Sequence, residues 1–562
     1  MIERSRKLRA TYRDIRHNTL FYSFLFSIST IWIARISAGG PTGLRIFSVL
    51  LALSTTLLVL ITTGPNGIAL APDSVGYISA ARNMSAGNGL TLYDSSPLLL
   101  QAPLFPVVLS LIERQLGLDP TVGVRYLNAG LFGLIVYLSG LLFRRRLVTP
   151  PTVIFGLLAE SLSPILFRLS AFALTELLFI LWTLVFLLLL ESYLNERSFT
   201  LLLLLSVITG LASITRYTGI SCALTGVAAI LFLQRGPLQS KLTHLLVYCV
   251  FSAVPLGAWA ARNFVLANTF LGNRDPSNFP LHHNLYFPLV RVLSWILPLD
   301  YLANSLKSTK AHFVLGSITG FLLGLPWSLE NFRQVLRPAF RQLSPELLYT
   351  GIYSTLLVLV STFTAHEGIS HRLMSPIYVP IVLIVLFIVE QRLAGAAGEF
   401  SIRLFGYTGN MRVRQLAYCM LYLWLAIPSL QVAQTAAELV GTGLGYSHIS
   451  WRTSETVGYL REEILSGGED SPLYSNYPDA VYILTGATVS FSPEATEYAS
   501  SEPRRPVASI VGTWPGPQPA YLVWFYNTTR VHHFEVSELE QVVALSVVAA
   551  LTDGTIYRVS AK

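Results

Sequence analysis

Long apolar runs alternate with short polar segments over most of the chain. They fall at residues 44–61, 122–143, 153–169, 173–194, 201–214, 219–232, 245–261, 313–327, 347–364, 376–390 and 416–433. Many approach the ~20 residues that a bilayer core requires. Residues 177–190 are apolar on every face rather than along one stripe, which suits lipid on one side and protein on the other. The pattern predicts a mainly α, polytopic membrane helix bundle of about eleven transmembrane helices. From residue 451 the character changes. Turn-rich stretches at 466–471 and 512–519 separate strand-like runs at 521–526 and 545–551. Asp553-Gly554 reads as a hairpin turn before 556–559, and 537–543 reads as helix. A small soluble α/β domain over 451–562 is expected.

Charge orients this bundle. Only 12% of residues are charged, about half the usual share of a soluble chain. The formal net charge of +8 would suit nucleic acid, but most of the excess lies in short loops between apolar runs. No basic run is interleaved with aromatics, so nucleic acid is not expected as a partner. The basic loops at 144–146, 196–197, 235–241, 333–341 and 392–414 fall on one side, which puts the N-terminus in the cytoplasm and the C-terminal domain outside. Residues 1–43 read as a basic tail with an interfacial helix at 20–38, interrupted by Arg35. That start is too long and too basic for a typical cleaved signal peptide. Residues 44–433 form the membrane domain, with a first outside loop at 62–121. Cys222, Cys249 and Cys419 each lie in an apolar run with no CxxC pair, so neither a disulfide framework nor a cysteine zinc site is indicated.

Candidate chemistry lies on the outside. Asp73 follows Pro72 in the first outside loop, and Asp73, Tyr77 and Ala80 would share one side of a short helix. Pro72-Asp73 is equally a common helix start. Glu176 stands at the outer end of the fourth run, where a charge either faces the bundle interior or caps the helix. Arg216 breaks a long apolar stretch at its middle, Arg262-Asn263 closes the seventh run, and Arg372 joins the ninth and tenth. Arginines fork onto phosphate oxygens, and a carboxylate can take a proton from an incoming hydroxyl. Together they suit group transfer from a lipid phosphate to an alcohol. His282-His283 and His532-His533 are adjacent, unlike the i, i+4 pair of a helical metal site. A divalent metal is left open at His366 and His371, which flank Glu367.

The order Pro72-Asp73-Ser74, Tyr77, Ala81-Arg82-Asn83, Gly87-Asn88-Gly89, Pro103-Leu104-Phe105-Pro106, Thr175-Glu176, Thr215-Arg216, Trp259, Arg262-Asn263, Arg372 and Pro376 resembles the GT-C membrane glycosyltransferases. The protein O-mannosyltransferase-like and aminoarabinose-transferase-like enzymes are the most similar members. The resemblance implies inverting transfer of a sugar from a polyprenyl-phosphate donor to a hydroxyl acceptor on the outer face. It implies Asp73 as general base and Arg262, Arg372 and Arg216 as holders of the lipid phosphate. Tyr77, Arg82, Glu176 and Asn263 complete the substrate-binding set, with no metal assigned. Many relatives carry two adjacent acids where Asp73-Ser74 stands, and Arg-Tyr where Arg372-Leu373 stands. A carboxylate among arginines is a weak base, so Asp73 is expected to stand apart from the phosphate clamp, on the acceptor side. Two other readings compete: a lipid or glycan transporter or flippase, and a structural assembly subunit. No internal repeat supports the transporter.

Overall fold

The computed structural model describes residues 40–296, 337–365, 367–394, 399–404, 407–467, 471–496, 498–526, 530 and 532–562. The segment at 20–38, the run at 313–327 and His366 lie outside the described residues. Seven continuous helical stretches among them are long and apolar enough to cross a membrane. They are α1 (Gly40–Thr62), α4 (Pro120–Arg146), α7 (Glu176–Glu196), α10 (Leu238–Ala267), α12 (Ser344–Phe363), His371–Ala394 and Arg414–Gly441. A bent pair, α5 (Pro150–Ser161) and α6 (Pro164–Ser170), raises the number to eight if it is one span. Among the described residues this gives seven or eight spans against the expected count of about eleven, one run of which lies outside them. The expected fifth and sixth runs are the shorter apolar helices Phe199–Thr215 (α8) and Tyr217–Leu233.

Each interruption has a local cause. Ser163 caps α6 through Leu166 N (3.3 Å), and Pro164, which lacks an N–H, opens the new helix. Arg216 is extended (φ −147°, ψ 138°), which ends α8 before the 3-10 turn Tyr217–Gly219 and α9 (Ile220–Ala228). α7 is mostly buried, whereas α1 and α10 turn most of their apolar side chains outward, as lipid-facing helices do. α1 approaches α4 closely because Gly133 lacks a side chain; a Cβ there would meet Ala52 O at 2.7 Å.

The segment between α1 and α4 is not loose chain. It contains α2 (Pro72–Ser85) and α3 (Leu104–Leu116). Its approach to α2 is pinned by backbone. Ala69 N donates to Ala171 O (2.8 Å), Ala173 N to Ala69 O (3.0 Å) and Tyr446 N to Leu70 O (2.8 Å). These bonds fix the residues just before Asp73. Further on lie α11 (Leu281–Ile296), α13 (His371–Met374), α14 (Tyr378–Ala394), the hairpin β1 (Glu399–Leu404) and β2 (Tyr407–Arg412), α15 (Val413–Trp424) and α16 (Ala426–Gly441).

The C-terminal part holds a five-stranded mixed sheet in the order β4-β3-β5-β7-β6. Its strands are β3 (Leu473–Ser475), β4 (Ser490–Phe491), β5 (Ala520–Phe525), β6 (Val543–Ala550) and β7 (Gly554–Ala561), with helix α17 (Pro478–Thr485) after β3. β3 runs parallel to β4 and β5; β7 is antiparallel to β5 and β6. The Asp553-Gly554 hairpin forms, since β7 starts at Gly554 and Leu551 N donates to Gly554 O (2.9 Å). The helix expected at 537–543 shrinks to Val536–Leu539, because Val543 already begins β6. The sheet docks on the segment between α1 and α4: Tyr482 of α17 stacks on Tyr93 (5.3 Å between ring centroids) and faces Arg82. Arg530 and Tyr446 share Asp479 Oδ2, the arginine at 2.8 Å.

Candidate active site

Asp73 occupies the first turn of α2, behind Pro72 at N1. The capping oxygen is supplied by Ser74, whose Oγ accepts from Ala71 N (3.0 Å). With the helix start held by Ser74, the Asp73 carboxylate is available to another element. It meets Arg372 Nη2 at 2.6 Å through Oδ2. Arg372 Nε lies 3.0 Å from Glu176 Oε1 and 3.3 Å from Glu367 Oε1. Glu176, the first residue of α7, also meets Arg216 Nη1 at 2.5 Å, and Arg216 reaches Thr175 Oγ1 at 2.9 Å.

Three carboxylates and two guanidinium groups thus form one chain of ion pairs from interior to surface. The Glu176 side chain is 1% exposed, and that of Asp73 38%. A buried carboxylate needs such partners, and Glu176 has two. Burial pushes the Glu367 carboxyl above its ordinary range, opposed by the Arg372 charge. Burial, and then the Asp73 charge, raise the Tyr77 phenol well above its usual value, so Tyr77 stays neutral beside Asp73.

The pairs open on a cavity of about 650 Å³. Arg372, His371 and Arg168 bring polar groups to its wall, and Trp295, Tyr378, Trp424 and Phe172 bring aromatic surface. That volume lies within the range of small-molecule sites. Glu438 also lines it, but the two arginines outnumber that carboxylate, and with the aromatic wall they suit an amphiphile bearing an anionic head. His371 Nδ1 accepts from Trp295 Nε1 (2.9 Å), which ties the cavity wall to α11.

The structure brings Asp73, Tyr77, Glu176, Arg216 and Arg372 together. It places the other three expected residues elsewhere. Arg262 donates to Leu98 O (2.7 Å), Leu90 O (3.2 Å) and Asn263 Oδ1 (2.9 Å), and lies over the Trp259 ring. Asn263 Nδ2 donates to Phe270 O (3.1 Å). Arg262 fastens the loop between α1 and α4, Asn263 holds the chain at Phe270, and neither touches the carboxylate cluster. Arg82 makes a forked pair with Asp119 (2.9 and 3.1 Å). Asp119 also caps α4 through Thr121 N. Burial works against the Asp119 charge, but Arg82 and Thr121 outweigh it and hold the carboxyl below its ordinary range.

The expected separation of Asp73 from the arginine clamp is not observed at Arg372. The physical reason is Coulombic: Arg372 is drawn into contact with three carboxylates, Asp73 among them. The contact uses one oxygen of Asp73, and the cavity begins beside it at Ala71 and Arg372. Sequence reasoning missed Arg168, on α6 after the break at Ser163-Pro164. The available signal was a charge at membrane depth inside an otherwise apolar run.

No protein-family model and no curated protein matches the sequence. Solved structures do. ArnT of Cupriavidus metallidurans in the apo state aligns over 91% of this chain and 97% of its own at a TM-score of 0.55 and 15% identity. ArnT bound to undecaprenyl phosphate aligns over 92% and 98%, with the same TM-score and 16% identity. The Archaeoglobus fulgidus oligosaccharyltransferase in complex with Zn and sulfate aligns over 92% of this chain and 72% of its own, at 0.51 and 12% identity. The chain shares the GT-C fold of these membrane transferases.

Proposed function

We propose that this protein is an integral membrane glycosyltransferase that uses a polyprenyl-phosphate-linked sugar and a hydroxyl acceptor at the outer face of the membrane. One observation carries the reading: Asp73 and Arg372 meet at the rim of an amphipathic cavity that Arg168 also lines. ArnT, whose fold this chain shares, has been crystallised with undecaprenyl phosphate, which makes a lipid phosphate a reasonable occupant.

Donor phosphate oxygens compete with Asp73 for Arg372 and, reaching Arg168 as well, displace the carboxylate. Asp73 then accepts the proton of the acceptor hydroxyl as that oxygen attacks the anomeric carbon. The bond from anomeric carbon to phosphate oxygen breaks, and its electron pair leaves on the polyprenyl phosphate. The guanidinium groups stabilise the growing charge. A single displacement inverts the anomeric centre. Glu176 and Arg216 act one step back, orienting Arg372. Arg262, Asn263 and Arg82 shape the loop that carries Asp73. In this orientation the N-terminus is cytoplasmic and the C-terminal sheet lies on the acceptor side, where it contributes to acceptor recognition.

The test is a transfer and hydrolysis assay on purified protein with a panel of radiolabelled polyprenyl-phosphate sugars, comparing wild type with Asp73→Asn. Turnover that vanishes in the variant while donor binding survives supports the assignment. Equal turnover removes Asp73 from the chemistry. Failure of the wild type to bind any donor would place the transporter and assembly readings ahead.

A further inference from the structure

The C-terminal sheet carries a second cluster, which the transfer chemistry does not use. Two segments of chain are zipped together beside it. Glu494 and His533 form an antiparallel bridge, Ala495 N donates to His532 O (2.8 Å), and Phe534 N donates to Pro493 O (3.1 Å). This pairing brings a carboxylate oxygen of Glu494 and a ring nitrogen from each of His532 and His533 within 4.8 Å of one another. Glu494 Oε1 lies 3.8 Å from His532 Nε2.

The rings are set as ligands are usually set. His533 is 1% exposed, and its Nδ1 lies 3.1 Å from Ser492 O and 3.0 Å from Ser492 Oγ. A proton donated from Nδ1 to a carbonyl leaves the lone pair on Nε2, the usual arrangement around a metal-bound imidazole. Nε2 of His533 is buried and has no hydrogen-bond partner, which is costly, and on His532 it is Nε2 that faces Glu494. Arg530, the nearest cation in sequence, is engaged by Asp479 at 2.8 Å.

We propose that Glu494, His532 and His533 bind one divalent transition-metal ion, zinc by the class of the ligands. Two imidazoles and one carboxylate suit zinc and leave a fourth position for water. Bonds of about 2.0–2.2 Å put tetrahedral ligand atoms roughly 3.4 Å apart, so the 3.8 Å separation needs only a small closure. The adjacency of the two histidines argues against a helical site, but they lie in a turn beside a strand-like bridge, where neighbouring rings can converge. The ion would clip two segments, one of which leads to the loop after α10. One continues to Ala499 and Ser500, which bond Asn278 N (3.1 Å) and Asp275 Oδ2 (2.8 Å). The other begins at Arg530. The site fastens the sheet where it meets the outer loops, and it is independent of the transfer reading.

The experiment uses the full chain in detergent, purified without a polyhistidine tag, stripped with chelator and titrated with Zn2+ alone. Metal content is read by elemental analysis, affinity by calorimetry and unfolding temperature with and without Zn2+. About one zinc per chain, and a higher unfolding temperature with zinc, are expected in the wild type. Glu494→Gln should weaken binding by at least about tenfold, His533→Ala should abolish it, and His282→Ala should leave it unchanged. If His533→Ala does not fold, Glu494→Gln decides. A folded wild type that retains no zinc, or equal affinity in wild type and Glu494→Gln, overturns the proposal.

Discussion

At its first residue α7 presents Glu176 to Arg216 and Arg372; about 22 Å further along the same helix, Glu191 meets Arg145 at 3.0 Å and Arg146 at 2.8 Å. Arg146 also reaches Glu346 at 2.9 Å. Both clusters join α7 to distant parts of the chain through forked arginines, so charge type does not separate them. Exposure does not either, since Arg145 of the second cluster is 43% exposed; the surroundings do. At the second cluster both carboxylates converge on Arg146. At the first, three carboxylates share two guanidinium groups, and one of these, Arg372, lines a cavity. The second cluster closes on itself. The first has an excess carboxylate and an arginine that an incoming anion can reach. That difference is what makes one end of the bundle a candidate for chemistry and the other a clasp.

The comparison breaks most decisively at Asp73. Asp73→Asn should lower transfer by about 10²–10⁴-fold with no change in unfolding temperature, measured on the same preparation. Arg372→Ala should cost about 10²–10³-fold in transfer and raise the donor KM. Arg372→Lys should rescue little of it, because an ammonium cannot reproduce the fork. At the clasp the pattern inverts. Glu346→Gln should destabilise by ~3–5 kcal/mol, since it removes one partner of a buried pair, while the protein that remains folded keeps its transfer rate. If Glu346→Gln instead abolishes transfer at unchanged stability, the division between the two ends is wrong. Arg262→Ala should cost about 1–2 kcal/mol and speed limited proteolysis between residues 86 and 101, with a modest loss of transfer.

The smallest effect concerns pH. Burial holds the Glu367 carboxyl above its ordinary range, so between its unfolded and folded values the native state binds more protons. Its contribution to stability therefore falls as pH rises through that window and levels off above the folded value. Glu367→Gln should flatten that stretch of the curve of unfolding temperature against pH. A curve identical to wild type would show that Glu367 does not titrate there.

Much of the membrane part is legible from local pattern. Apolar length marks α1, α4, α7, α10 and α12 because hydrocarbon thickness is a one-dimensional constraint on sequence. The break at Arg216 is also local, set by a charge, whereas the break at Ser163-Pro164 falls inside the run at 153–169, which reads as one span. The strands and hairpin turn of the C-terminal sheet are readable at Asp553-Gly554, but the length of the short helix before β6 is not, since strand pairing with β7 claims Val543. Ion-pair partners are less legible still. Arg82, Arg262 and Arg372 look alike in sequence as loop arginines. Only folding assigns the first to Asp119, the second to loop carbonyls and the third to Asp73.

The sequence by itself determines which stretches are long and apolar enough to cross a membrane and which residues carry charge near their ends. Those properties follow from composition over a few turns of helix. Tertiary structure alone decides that Asp73, Glu176 and Arg372, separated by up to 299 residues, share one cluster, that Arg168 faces the same cavity, and that Glu494 joins two adjacent histidines. A side chain's partner depends on the path of the whole backbone, and hydropathy constrains the path across the bilayer but not the order in which helices pack around it.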